Sequence, residues 1–201
     1  MIFLAISYIC IVLHELGHII LFRIQKVELV KIVIFPFAFT KNNGKWKIRI
    51  YFNISYLGIV IPKIPVLNYA NEKQFNSCYR KAILAGPCVN IILVSFSMIF
   101  LFKYNSRPLY YTLFFNILIL IDCFSESKSV MGDMIAYKRI SKYREIYLLV
   151  LFSAYIVDSR GEEENYVYFQ NEFNKLLSKD LNENIHNRLL SLYKRYYVDT
   201  L

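Results

Sequence analysis

Four apolar stretches, separated by polar and basic segments, dominate the pattern of residues along the chain. They lie at residues 2–22, 82–102, 109–121 and 147–157. The first two match the roughly 20 apolar residues that a helix needs to cross the hydrocarbon core of a bilayer. The third can extend through Phe124 if Asp122 is accommodated inside the protein. The fourth, with eleven residues, is short for a complete crossing. The pattern predicts about three core transmembrane helices and leaves a fourth open.

Residues 27–62 follow a different pattern, in which apolar and polar positions alternate and β-branched and aromatic residues are frequent. Such alternation is typical of strands with one buried face. Asn43-Gly44 divides the segment and favours a tight turn, and Pro62 and Pro65 end it. We therefore predict a membrane-associated β-hairpin.

From Asp158 onwards the chain turns polar, and its apolar residues return at helical spacing. These residues are Tyr166, Phe169, Phe173, Leu176 and Leu177, followed by Ile185, Leu189 and Tyr193. The spacing predicts a soluble helical C-terminal tail. The sequence thus predicts a mainly α membrane protein with a core at residues 1–157 and the tail at residues 158–201.

Composition and charge support a protein embedded in lipid. The chain is 56% hydrophobic and 17% aromatic with 19% charged residues, and its mean hydropathy is +0.36. The net charge of +9 comes mostly from Lys and Arg beside the apolar stretches, as in cytoplasmic loops that face anionic lipid. No basic and aromatic groove module is present, so we predict no nucleic-acid partner. The four cysteines lack C-x-x-C spacing and are predicted to be free thiols.

The first apolar stretch contains H-E-L-G-H, residues 14–18. Residues four apart share one face of a helix, so His14 and His18 can direct imidazole nitrogens at one metal ion, for which Zn²⁺ fits well. Glu15 is adjacent and can act as general base towards water that the ion makes acidic. Burying two imidazoles and a carboxylate in an apolar span is costly, and a metal site accounts for that cost.

Two histidines do not complete a catalytic zinc site, which normally has three protein ligands. The acidic candidates near a membrane face are Asp133 and Asp122. His186, the remaining histidine, belongs to the polar tail and is predicted to be a solvated surface residue. We favour Asp133 because it follows the third apolar stretch on the predicted cytoplasmic side and opens a helix-like segment.

Basic residues cluster between the first and second apolar stretches and again after the third. The positive-inside rule makes both regions cytoplasmic. His14 and His18 then lie towards the cytoplasmic end of the first helix.

Three motifs, in this order, resemble the site-2 protease family of intramembrane zinc metalloproteases. They are H-E-L-G-H, then A-G-P-C-V-N at Ala85–Asn90, then S-x-x-G-D-M-I at Ser129–Ile135. The third stands where the family carries a D-G motif with the aspartate ligand, although here Gly132 precedes Asp133. The resemblance covers residues 1–140 and implies that Asp133 is the third ligand. It also implies that Asn90 lines the active site, as a polar contact to the substrate or to the developing oxyanion.

The resemblance implies a zinc metalloendopeptidase that cuts in or near transmembrane segments of membrane-anchored regulators or peptide precursors. In this reading the hairpin helps by offering a strand edge, along Ile48 to Ile54, to the unwound substrate. The setting implied is a bacterial plasma membrane, with the active site towards the cytoplasm and the lipid bilayer and a membrane-embedded peptide or protein as partners. One alternative is a non-proteolytic protein of the same fold that binds a membrane peptide or partner. Another is a small transporter that uses His14, Glu15 and Asp133 as a polar relay.

Overall fold

The computed structural model describes residues 2–42, 44–50, 57–126, 131–157 and 163–178, together with Glu183 and Asn187. Its elements form two compact units, one of residues 1–62 and 77–138 and one of residues 63–76 and 139–201. In chain order the elements are α1 (Ile2–Ile24), β1 (Leu29–Ile34), β2 (Phe37–Asn42), β3 (Lys45–Ile50), β4 (Gly58–Pro62), α2 (Tyr69–Leu101), α3 (Arg107–Cys123), α4 (Asp133–Lys142), α5 (Arg144–Val157) and α6 (Glu163–Leu177).

Within the described residues, α1 and α2 are the two helices long and apolar enough to cross a membrane. Large apolar side chains project outwards along both, among them Leu4, Ile20, Ile92 and Ile99, as expected of surfaces that face lipid. α3 has 17 residues. At about 1.5 Å per residue it is shorter than the roughly 30 Å of a hydrocarbon core. Two of the predicted spans are therefore supported, and a third is not confirmed.

The segment between α1 and α2 forms a four-stranded antiparallel sheet in the order β3-β2-β1-β4. β2 and β3 pair from Asn42 opposite Lys45 outwards, so the predicted hairpin around Asn43-Gly44 is confirmed. The sheet is larger than predicted. The long first arm of that hairpin is two strands, divided at Phe35–Pro36, and β4 pairs with β1 on the other side and ends at Pro62.

The core of the first unit lies where α1, the sheet and α2 meet. Phe22, Leu29 and Ala82 are buried there, with Ile19 and Val60 packed against them. α1 also packs along α3. This packing places the middle of α1, with its histidines, beside both β4 and the middle of α2.

The second unit has an aromatic core built by α5 and α6. Phe152 of α5 is fully buried, and its ring lies 5.2 Å from that of Phe169 and 4.7 Å from that of Phe173, measured between centroids. α5 therefore buries apolar surface against protein, and a fourth span is not confirmed. α6 accounts for the helical periodicity that begins at Tyr166. The repeat Ile185, Leu189 and Tyr193 lies outside the described residues, and the boundary at residue 157 stays a prediction.

Candidate metal centre

α1 brings His14, Glu15 and His18 into the interior of the first unit. Their exposed fractions are 7%, 6% and 8%. The Nε2 atoms of His14 and His18 lie 3.2 Å apart, because the two residues are one helical turn apart and their rings turn towards the same point. The helix thus supplies two convergent imidazoles and a neighbouring carboxylate.

Asp133, at the start of α4, completes a triangle with the two histidines. Its Oδ2 lies 3.0 Å from Nε2 of His14 and 3.2 Å from Nε2 of His18. Three ligand atoms on a tetrahedral zinc ion, with bonds of about 2.0 Å, stand about 3.3 Å apart. The three side chains therefore fit one shared ion without rearrangement.

The other ring nitrogen of each histidine faces a hydrogen-bond acceptor. Nδ1 of His18 donates to the carbonyl oxygen of Ala82 at 2.7 Å, and Nδ1 of His14 faces the side-chain oxygen of Asn90. A proton held on Nδ1 leaves the lone pair of Nε2 free for a metal. Both imidazoles can therefore present Nε2 to a metal ion.

The carboxylate of Asp133 is held in its charged form. Burial raises the pKa of this group, but the two imidazoles beside it lower the pKa by more, so that it lies well below its usual range. An ionised carboxylate with two imidazoles is a donor set that suits a divalent transition metal.

Two glycines allow the backbone to approach this cluster. At Gly86 on α2, a Cβ atom would lie 2.7 Å from Cε1 of His14 and would also collide with His18. At Gly132, a Cβ atom would strike the carbonyls at the end of α3, at 2.5 Å for that of Cys123. Gly132 therefore lets the chain pack against α3 and bring Asp133 to the histidines. This explains why a glycine is needed before the aspartate.

The structure brings four of the five predicted site residues together, namely His14, Glu15, His18 and Asp133. The fifth, Asn90, lies on the far side of the His14 ring from Asp133. Asn90 is fully buried and contacts the outer nitrogen of His14, and the prediction that it contacts substrate stays a prediction. Asp122 is exposed, and its carboxylate accepts a hydrogen bond from Ser125 at 3.2 Å. His186 lies outside the described residues.

Sequence reasoning missed Cys123 and Gly58. His14, Cys123 and Asp133 form a second, overlapping group whose ligand atoms lie within 4.8 Å of one another, and all four cysteines are free thiols as predicted. A Cβ atom at Gly58 on β4 would overlap the carboxylate of Glu15. The only sequence signal was position, because Cys123 follows the third apolar stretch and Gly58 opens a strand-like run.

Comparison with known families extends the resemblance beyond the residues that first suggested it. The model of peptidase family M50 matches residues 2–193, nearly the whole chain. No curated protein matches the chain, and no solved structure does. The family match agrees with the apolar helices and with the clustered histidines and aspartate. The chain therefore belongs to peptidase family M50, the site-2 protease family, and is a membrane-associated metalloprotease.

Proposed function

We propose that this protein is a zinc metalloendopeptidase that hydrolyses peptide bonds in or near transmembrane segments. The observation that carries the proposal is the triangle of His14 Nε2, His18 Nε2 and Asp133 Oδ2, with sides of 3.0 to 3.2 Å, beside the buried Glu15. Two histidines and a carboxylate are a ligand set used by catalytic zinc, and they leave a fourth position open.

His14, His18 and Asp133 would hold the ion. When bound, zinc supplies Lewis-acid chemistry that polarises a carbonyl and makes water acidic. Cys123 is less suited as a ligand in this arrangement, because its Sγ lies 4.0 Å from Oδ2 of Asp133. A sulfur and an oxygen on one tetrahedral zinc ion stand about 3.5 Å apart. We therefore assign the third ligand to Asp133 and leave Cys123 beside the site.

Glu15 is the proposed general base and acid. Its carboxylate takes a proton from the attacking water and delivers one to the departing amine nitrogen, so the nitrogen leaves as a neutral amine and not as an amide anion. Burial at 6% exposure excludes bulk water from this carboxylate. Its position against Gly58 of β4 supports an approach of the substrate carbonyl from that side.

That contact also indicates which edge of the sheet would hold the substrate. β3 and β4 are the two terminal strands, and Glu15 lies against β4. Of the edge named from sequence, Tyr51 to Ile54 lies outside the described residues. We propose that an unwound substrate segment pairs with β4, because its carbonyls would then lie beside Glu15.

Val60 offers a test of this strand pairing. Phe35 donates its backbone N–H to the carbonyl of Leu57, so these two residues form a hydrogen-bonded pair. Hydrogen-bonded and non-hydrogen-bonded pairs alternate along antiparallel strands, and Val60 opposite Ile32 falls in a non-hydrogen-bonded pair. The backbone groups of Val60 therefore point away from β1. Val60→Pro removes an outward N–H and is expected to lower cleavage about 3- to 10-fold, the value of one hydrogen bond. The measurement is the yield of membrane-peptide fragments in cells. Ile48→Pro on β3 is the matched control, and an equal loss in both variants would contradict pairing at β4.

The membrane setting is part of the proposal. We propose that α1, α2 and α3 form three core spans, with α3 completing the bundle, and that residues 158–201 form a soluble tail. The basic residues between α1 and the apolar part of α2, and those after α3, support an active site towards the cytoplasm of a bacterial plasma membrane. The proposed substrates are membrane-anchored regulators or peptide precursors.

Metal removal tests the function directly. Protein purified in detergent is expected to contain about one zinc per chain, since the triangle accommodates a single ion. A chelator should abolish cleavage, and added Zn²⁺ should restore it. Elemental analysis and fragment yield are the measurements. A protein that binds zinc but yields no fragment under any growth condition would support instead the non-proteolytic member of the fold that binds a membrane peptide.

A further inference from the structure

A buried chain of hydrogen bonds connects His14 with α3. The side-chain oxygen of Asn90 faces Nδ1 of His14. The side-chain nitrogen of Asn90 donates to the side-chain oxygen of Asn116 at 2.7 Å. The side-chain nitrogen of Asn116 in turn donates to the carbonyl oxygen of Thr112 at 2.7 Å and to Sγ of Cys10 at 3.2 Å. Both asparagines are fully buried.

The direction of this chain is fixed at its far end. The carbonyl oxygen of Thr112 can only accept, so Asn116 must turn its NH₂ group towards it and its oxygen towards Asn90. Asn90 must then present NH₂ to Asn116 and its own oxygen to His14. A side-chain oxygen beside Nδ1 requires that nitrogen to carry the proton, which leaves Nε2 as the ligand atom.

We infer that Asn116 is a positioning residue that acts through Asn90 to hold His14 in the tautomer that binds metal through Nε2. The inference rests on the proposed metal site. No sequence motif contains Asn116, and its role comes from the polar chain that crosses from α3 to α2 and then to α1. In apolar surroundings a reversed amide would place two acceptors or two donors face to face, so the chain has one favourable direction.

The energetic setting strengthens the argument. Two carboxamides inside lipid-facing helices are costly unless every polar atom is paired. Here each side-chain oxygen and nitrogen of the pair has a partner among the described residues. Because the two asparagines lie on the Nδ1 side of His14, away from the triangle, they are placed to orient the imidazole and not to bind the metal ion. Residues that hydrogen-bond to a metal-binding histidine typically raise metal affinity by about 10- to 100-fold.

The test uses the full-length protein in detergent, with metal affinity and NMR as readouts that do not depend on cleavage. Asn116→Leu keeps the side-chain size and is expected to lower zinc affinity about 10-fold in competition with a chelator. Cobalt-loaded wild type is expected to give two strongly shifted, exchangeable proton signals from Nδ1 of His14 and His18. In Asn116→Leu the His14 signal should move or disappear, while the His18 signal stays.

Two further variants separate positioning from folding. Asn90→Leu should lower zinc affinity more, and adding Asn116→Leu to it should cause little further loss, because Asn116 acts through Asn90. Ser97→Ala is the matched control: Ser97 is also buried on α2, and within the described chain its hydroxyl has no hydrogen-bond partner. Its affinity should equal that of wild type.

Several outcomes would overturn the inference. They are additive losses in the double variant, unchanged affinity with unchanged signals in Asn116→Leu, and loss of both histidine signals at saturating cobalt. If wild type binds no metal, both this inference and the proposed function fail. If wild type binds metal and never cleaves, only the protease function fails.

Discussion

Replacing Glu15 by Gln is expected to reduce cleavage by about 10²- to 10⁴-fold, the range typical of a lost general acid–base group. The amide has the size and shape of the carboxylate, so the contact with Gly58 and the packing of α1 should persist. It cannot take a proton from water or return one to the leaving nitrogen. The measurement is the yield of membrane-peptide fragments in cells that express wild type or Glu15→Gln.

Zinc content distinguishes this effect from damage to the metal centre. Glu15→Gln should retain the metal, because His14, His18 and Asp133 are unchanged. Glu28→Gln is a suitable control, since Glu28 is exposed and its Oε2 lies 3.5 Å from Nζ of Lys41. Cleavage by this variant should match wild type. Full cleavage by Glu15→Gln, or loss of zinc from it, would contradict the separate role given to this carboxylate.

The part of the site that could be predicted from sequence is the part made by one helix. Spacing of four residues fixes that His14 and His18 share a face, and Glu15 follows from its place in the same turn. No tertiary information is needed for this step. The two imidazole Nε2 atoms lie 3.2 Å apart in the structure, which agrees with that local argument.

The remaining members of the site depend on contacts between distant segments. Asp133 was named with Asp122 as an alternative because both follow the same apolar stretch. Their difference arises from Gly132, whose close approach to the end of α3 turns Asp133 inwards. Cys123 and Asn116 were not predicted, since a buried thiol and a buried amide carry no spacing signal until three helices are packed together.

The fold shows the same division between local and non-local information. The hairpin around Asn43-Gly44 is encoded by a turn and by alternation, and β2 and β3 follow it. The pairing of β4 with β1 joins strands that are not consecutive, so it was not predicted. The burial of α5 against α6 also depends on tertiary packing, which hydropathy alone does not report.

Replacing Asp133 by Ala is expected to remove the third ligand and to lower zinc affinity by more than about 100-fold. That figure is the upper end of the effect of losing a residue that only hydrogen-bonds to a ligand. Two imidazoles would remain, with Nε2 atoms 3.2 Å apart, and one side of the ion would be open. Cleavage should be lost with the metal. Chelator competition measures the affinity, and elemental analysis measures the zinc that remains after purification.

Two matched substitutions decide whether this loss is specific to Asp133. Asp122→Ala changes an exposed carboxylate that bonds with Ser125, and it should retain zinc and cleavage. Cys123→Ser changes the thiol 4.0 Å from Asp133 and should also retain zinc, because the Sγ atom is too distant to share the ion. Zinc loss in Asp122→Ala with retention in Asp133→Ala would move the third ligand to the end of α3. Zinc loss in Cys123→Ser would instead make the group of His14, Cys123 and Asp133 the metal site, because the donor set would then contain sulfur.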